Sequence, residues 1–101
     1  MTYTLRVSPR ATRQIEQAAD WWFENRSAAV TLFSAELERG FLALASLPRA
    51  GQRVEHHRIP NLRRILLSAV QYHLYYTISE DERMVDVLEL WHTSRKPRTV
   101  Q

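Results

Sequence analysis

The spacing of apolar positions changes period twice along the chain. From Tyr3 to Val7 it alternates, with Tyr3, Leu5 and Val7 on one side, which predicts a short half-buried strand. Ser8-Pro9 then reads as an N-cap followed by a proline at the first helical position. Ile15, Ala18, Ala19, Trp22 and Phe23 follow at the spacing of one helical stripe, which Trp21 widens. The pattern weakens at Asn25-Arg26, and Ser27 is the expected cap of a second helix. There Val30, Phe33, Leu37, Phe41, Leu44 and Leu47 recur every three or four residues, until Pro48 ends the helix. So short a connection predicts an antiparallel hairpin. Gly40 interrupts the second stripe, and either a close helix–helix or helix–sheet contact or no special role accounts for it.

Periodicity disappears from Pro48 to Leu62, where Pro48, Gly51 and Pro60-Asn61 punctuate a loop long enough to suggest function or mobility. Three segments of strand length follow: RRILLS, YHLYYTIS and MVDVLELW, separated by SAVQ and EDER. They predict an antiparallel meander. Tyr72, Leu74, Tyr76 and Ile78 share one face of the middle strand, with His73, Tyr75 and Thr77 on the other. In the last strand Val85 and Val87 alternate with Asp86 and Leu88, and the placing of Asp86 and Glu89 suggests an edge or partly covered strand. The expected architecture is α+β: a single domain over residues 1–101, β-α-α-β-β-β, with a helical hairpin packed on a small antiparallel sheet.

Composition narrows the chemistry. With 101 residues and 45% hydrophobic content, the chain supports one core. The absence of Cys excludes disulfides, thiolate zinc sites and thiol nucleophiles. No apolar run reaches the ~18 residues of a membrane span, and no signal-peptide h-region is present, so a soluble cytoplasmic protein is expected. Two glycines, at 40 and 51, make no phosphate-cradling loop, and adjacent His56-His57 fits no common zinc spacing; neither metal nor cofactor is expected. The net charge is +3, and it resides in the second half, where eight arginines and Lys96 face six acids. An anionic partner, nucleic acid or acidic protein, is one reading; ordinary solvated surface charge is the other.

Arg63, Arg64, His92, Arg95 and Lys96, with His73, Tyr72 and Tyr75 in the meander, form the one constellation suggestive of catalysis. RNA backbone cleavage needs a base, cations on the developing phosphorane charge and an acid for the leaving oxygen; Arg and His can supply the last two, and aromatic rings can stack on bases. The structural alternative is packing tyrosines and arginines paired with Glu89 or Asp86.

As a whole the chain resembles the RelE/ParE superfamily of bacterial type II toxins. The matching pieces are Val7-Ser8-Pro9-Arg10-Ala11 after a first strand, the long hairpin, Leu47-Pro48 to Gly51, Arg63-Arg64 opening a strand, Tyr72-His73-Leu74-Tyr75-Tyr76, and Trp91-His92 to Arg95-Lys96-Pro97. The resemblance implies a toxin held inactive by a cognate antitoxin, in a toxin–antitoxin hetero-oligomer. RelE-like members cleave mRNA on the ribosome; ParE-like members, the plasmid-stabilisation type, poison DNA gyrase. Arg63 or Arg64 stands where the strand-borne arginine of the nucleases is expected, and His92 matches their late histidine, with Arg95 a further catalytic candidate. The tyrosine that several of them carry after the last strand is missing here. That gap and the long hairpin favour the gyrase-directed side, with a non-toxic binding module on the same fold as a third reading. Arg58, Tyr72, Tyr75, Lys96 and Arg98 are the expected target-binding residues, and Arg10, Arg13, Trp21, Trp22, Phe33 and Leu37 the expected antitoxin-binding ones.

Overall fold

The computed structural model describes residues 2–94; Arg95, Lys96 and Arg98 lie outside the described residues. Strand β1 (Thr4–Val7) leads into helix α1 (Pro9–Asn25), a 3-10 turn (Ser27–Ala29) and helix α2 (Val30–Ser46). A second 3-10 turn (Pro48–Ala50) precedes β2 (Gln52–Arg53), β3 (Arg63–Leu67), β4 (Tyr72–Ser79) and β5 (Met84–His92). The helical hairpin and the β3–β5 meander are therefore as the periodicity predicts. No helix among the described residues is long and apolar enough to cross a membrane.

The sheet has five strands in the order β1-β5-β4-β3-β2 and is mixed. β1 runs parallel to β5, Leu5 opposite Val85 and Val7 opposite Val87, because the α1–α2 hairpin carries the chain back across one face. This makes β5 an interior strand, and Glu89, whose placing suggested an edge or a partly covered strand, is 0% exposed. Part of the long loop is also sheet: Gln52 and Arg53 pair with Arg64 and Arg63.

Helix α1 starts where the sequence places it. Ser8 is extended, and its Oγ accepts from the Ala11 amide at 3.0 Å, satisfying one orphan donor of the first turn. Helix α2 starts later than expected, because Ser27 opens a 3-10 turn and Ala29 occupies the cap position without a side-chain bond. The core beneath both helices contains Ala11, Ala18, Phe33, Leu44, Leu74, Tyr76, Val85, Val87 and Leu90. Phe23 and Leu47, expected on buried stripes, are 66% and 69% exposed. Phe23 lies on the final turns of α1, and Leu47 is already past the end of α2, where it serves as the C-cap. Gly40 does mark a close approach: a Cβ there would stand 2.6 Å from Leu67 Cδ2 and 3.4 Å from Leu74 Cδ1.

One irregularity decides which way the end of β5 points. Tyr75 pairs with Glu89 and Tyr76 with Val87, leaving Leu88 as the additional residue of a β-bulge. Simple alternation from Val85 and Val87 would send His92 to the face away from the helices. The slip leaves Glu89 and Leu90 both on the helix side and reverses the side chains from Leu90 onward. His92 pairs with Tyr72, on the helix side.

Candidate functional site

The helix-side end of β4 and β5 carries a continuous series of aromatic rings. Trp21 meets Trp22 edge-on at 5.8 Å, Trp22 stacks on Phe33 at 6.2 Å, Phe33 meets Tyr72 at 5.6 Å and Tyr72 meets His92 at 4.9 Å. Such offset and edge geometries add about 0.5–1.5 kcal/mol per pair beyond area burial. Phe33 is core, 2% exposed, and Leu37 is partly buried against the same core. Trp21 is 47% exposed. The series thus gathers residues that the sequence assigned to three separate roles: catalysis (His92), target binding (Tyr72) and antitoxin binding (Trp21, Trp22, Phe33).

Beside these rings lies a cleft of about 840 Å³. Its walls are the second half of α1, the β3–β4 turn and the end of β5. Val70 and Leu90 form an apolar floor with Ala18, and Gln17, Trp21, Arg26, His92 and Ser94 stand around it. His92 is fixed by its neighbour: Nδ1 accepts the Ser94 amide at 3.1 Å, and the Ser94 hydroxyl lies 2.8 Å from the same nitrogen. In the neutral ring this arrangement puts the proton on Nε2.

Arg63 and Arg64, expected beside His92, are elsewhere. Arg63 donates from Nη1 to the carbonyls of Arg49 at 3.1 Å and Gly51 at 2.8 Å. It clasps the same turn that Tyr76 holds from below, with its hydroxyl donating to the Pro48 carbonyl at 2.6 Å and accepting the Gly51 amide at 3.1 Å. Burial pushes the Tyr76 phenol above its usual range, so it remains a neutral bridge. The Arg63 guanidinium is thus engaged with this turn.

Arg64 lies on the opposite face of the sheet from His92. Its Nη1 approaches the Tyr75 hydroxyl at 3.3 Å, and its Nε donates to Gln52 Oε1 at 3.2 Å. Tyr75 is buried there against Leu62, with Val54, Ile59, Leu88 and Trp91 packed around the pair. The loop over residues 54–62 folds down to make this second small core. His73 lies beside Tyr75, ring to ring at 6.1 Å. Burial, and then the charge of Arg64, lower the His73 pKa. In the loop above, His56 Nδ1 accepts the amides of Arg58 and Ile59, both at 3.0 Å, which fixes the turn. Arg58 is exposed on that loop.

The acids named as alternative partners of Arg63 and Arg64 are engaged elsewhere. Asp86 pairs with Arg6, from Nε to Oδ1 at 2.5 Å. Glu89 Oε1 accepts from Gln14 Nε2 at 3.0 Å, with Arg10 Nη1 at 3.8 Å. Gln14 Oε1 in turn accepts the Leu90 amide at 2.9 Å, tying α1 to β5. Sequence reasoning missed Gln14, for a lone glutamine beside a helical stripe carries no signal of its buried partner. Arg10, expected at a docking surface, is half-buried in this network, whereas Arg13 is exposed.

This architecture, two helices on a five-stranded mixed sheet, is the fold of RelE- and ParE-type toxins. It is similar to a chain of the ParDE toxin–antitoxin system of P. aeruginosa (TM-score 0.71, 11% identity, covering 89% of this chain and 95% of that one). It is also similar to a chain of the RelBE2 complex of Mycobacterium tuberculosis (TM-score 0.64, 21% identity, 91% of this chain and 99% of that one). The isolated RelE toxin of E. coli gives a TM-score of 0.63 at 19% identity, over 93% of this chain and 87% of that one. None of the curated protein sequences compared with the chain matches it. The family model described as the ParE toxin of the type II toxin–antitoxin system parDE matches residues 5–97, and the chain belongs to that family.

Proposed function

We propose that this toxin acts as ParE-type proteins are expected to act, by protein contact with DNA gyrase, and that a cognate antitoxin neutralises it in a hetero-oligomer. The observation that carries the reading is the separation of Arg64 and His92 on opposite faces of the sheet. Cleavage of a phosphodiester needs cation and proton donor at one phosphate, and these two residues do not share one. The exposed surface of the hairpin, with Arg13, Trp21, Phe23 and Leu42, supports a binding role. The test is to incubate purified toxin with gyrase and supercoiled plasmid. Loss of supercoiling activity or trapped cleavage complexes is expected, and unchanged gyrase at high toxin rejects the reading.

A second reading rests on the outer face. Arg64, the Tyr75 hydroxyl and His73 gather there, and His73 is held toward its neutral, proton-accepting form. These groups suit a ribosome-dependent mRNA endonuclease better than Arg63 and His92 do. Primer extension on a cell-free translation reaction distinguishes the two readings. Codon-linked cuts that vanish in Arg64→Ala favour the nuclease, and intact message removes it.

A further inference from the structure

The carboxylates of the fold are not spread evenly over its arginines. Among the described residues, ion pairs join Arg6 to Asp86 and Glu82, Arg10 to Glu89, Arg39 to Glu36 and Arg49 to Glu80. The edge formed by β2 and β3 is built differently. Residues 49–64 hold five arginines and a single acid, Glu55. Arg53 donates to Asn61 Oδ1 at 2.9 Å, Arg63 to the Arg49 and Gly51 carbonyls, and Arg64 to Gln52 Oε1 and toward the Tyr75 hydroxyl. These acceptors are neutral. They orient the guanidiniums and leave their charge uncancelled.

The register sets these charges against one another. Arg53 pairs directly with Arg63 across the two strands, and Arg64 follows opposite Gln52. Like charges directly opposite destabilise a sheet, so an anion arriving at this edge relieves a repulsion that the fold itself creates. Arg53 is exposed on β2, the outermost strand, and Arg58 is exposed on the loop that joins β2 to β3. Charges spread along an open edge suit a repeating anion better than a single one. The rings of this face are used internally: Tyr75 is buried with Leu62, and His56 stacks on His57 at 5.0 Å. A single strand gains much of its binding from bases stacked on free rings, whereas a duplex is held through its phosphates.

We infer that the β2 edge of the sheet, through Arg53, Arg58 and Arg64, binds the phosphate backbone of duplex DNA without reading its sequence. The inference goes beyond the gyrase reading and does not depend on it. Alongside a gyrase contact, such an edge would let the toxin grip the DNA on which that enzyme works. Phosphate contacts of this kind position a protein on the duplex and carry no base preference.

The test uses the purified full chain without gyrase, in fluorescence anisotropy with a short labelled DNA duplex and a single-stranded RNA of equal length. Duplex binding should weaken with salt at a log–log slope of roughly −2 to −3, as three neutralised phosphates at about −0.9 each require. Arg58→Gln should make that slope shallower by about 1, and Arg53→Gln combined with it by about 2, equally on unrelated sequences. Arg58 is exposed, so its variant keeps the test valid even where Arg53→Gln loosens the contact with Asn61. Arg26→Gln removes the same charge from the end of α1 and should leave the slope unchanged. No duplex binding at low salt, an unchanged slope in Arg58→Gln, an equal change in Arg26→Gln, or tighter binding of the RNA than of the duplex overturns the inference. Because gyrase is absent, a negative result here leaves the gyrase reading standing, and unchanged gyrase activity in the earlier assay leaves this inference standing.

Discussion

The helix side of the sheet buries Leu74, Tyr76, Val85 and Val87 beneath α1 and α2, whereas the opposite side is covered, among the described residues, by the loop over 54–62, which encloses Leu62 and Tyr75. The first face is closed by a hairpin and braced by linked rings. The second depends on one loop held by a short strand pair, the Val54 amide on the Leu62 carbonyl at 2.8 Å and the His56 turn. Each face carries one set of candidate functional groups, rings and His92 on one, Arg64 with Tyr75 and His73 on the other. The difference teaches that neighbouring strands can hold two separate surfaces, and that a residue's face matters as much as its place along the strand.

The largest effect should come from the helix side. Phe33→Ala removes the central ring of the series from the main core and should cost about 3–5 kcal/mol in urea denaturation. A loss below ~1 kcal/mol would mean that the helix side does not hold the domain together.

The two glycines should separate next. A Cβ on Gly51 would lie 2.0 Å from the Tyr76 hydroxyl and 2.9 Å from the Arg64 carbonyl, so Gly51→Ala disrupts the turn and should destabilise by about 1–3 kcal/mol. At Gly40 the nearest contact is a terminal methyl of Leu67, which can rotate away. Gly40→Ala also gains roughly 1 kcal/mol of helix propensity, so thermal melting should show a near-neutral variant.

Leu62→Ala asks whether the outer core is a separate unit. It should cost about 2–4 kcal/mol locally. Amide exchange should quicken across 54–62 while the α2 amides keep their protection. Uniform acceleration everywhere would instead make the two faces one cooperative unit.

Glu36 sharpens the comparison through pH. Its carboxylate accepts from Arg39 and from the Ala69 amide at 2.9 Å, and these bonds, Arg39 first, hold its pKa below the usual 4.5. A depressed carboxylate gives stability that is fully present above the ordinary value and is lost as pH falls through the native one. Glu36→Gln should therefore cost roughly 1–3 kcal/mol at neutral pH and flatten the acid limb of the stability curve.

The smallest effect belongs to His73. Its NMR titration should fall below the ordinary 6.5, and Arg64→Ala should restore only part of the difference, because burial is the larger cause. The unfolded chain binds this proton more readily, so the group's contribution to stability declines as pH drops from 6.5 through the native value. Full restoration in Arg64→Ala would assign the shift to charge alone.

By itself the sequence determined the elements that depend on local pattern. The Ser8 cap, the two amphipathic helices, the short connection and the three-strand meander all follow from periodicity and turn chemistry within a few residues. Tertiary structure alone decided the parallel pairing of β1 with β5, the burial of Glu89 against Gln14, and the small core beneath the 54–62 loop. It also decided the site. Alternation along the last strand would put His92 on the face that carries Arg64, and the bulge at Leu88 turns it to the other. The bulge is a matter of register between β4 and β5, a non-local property with no signature in either strand's own residues, and for that reason the basic and aromatic groups that look like one site in the chain are two surfaces in the fold.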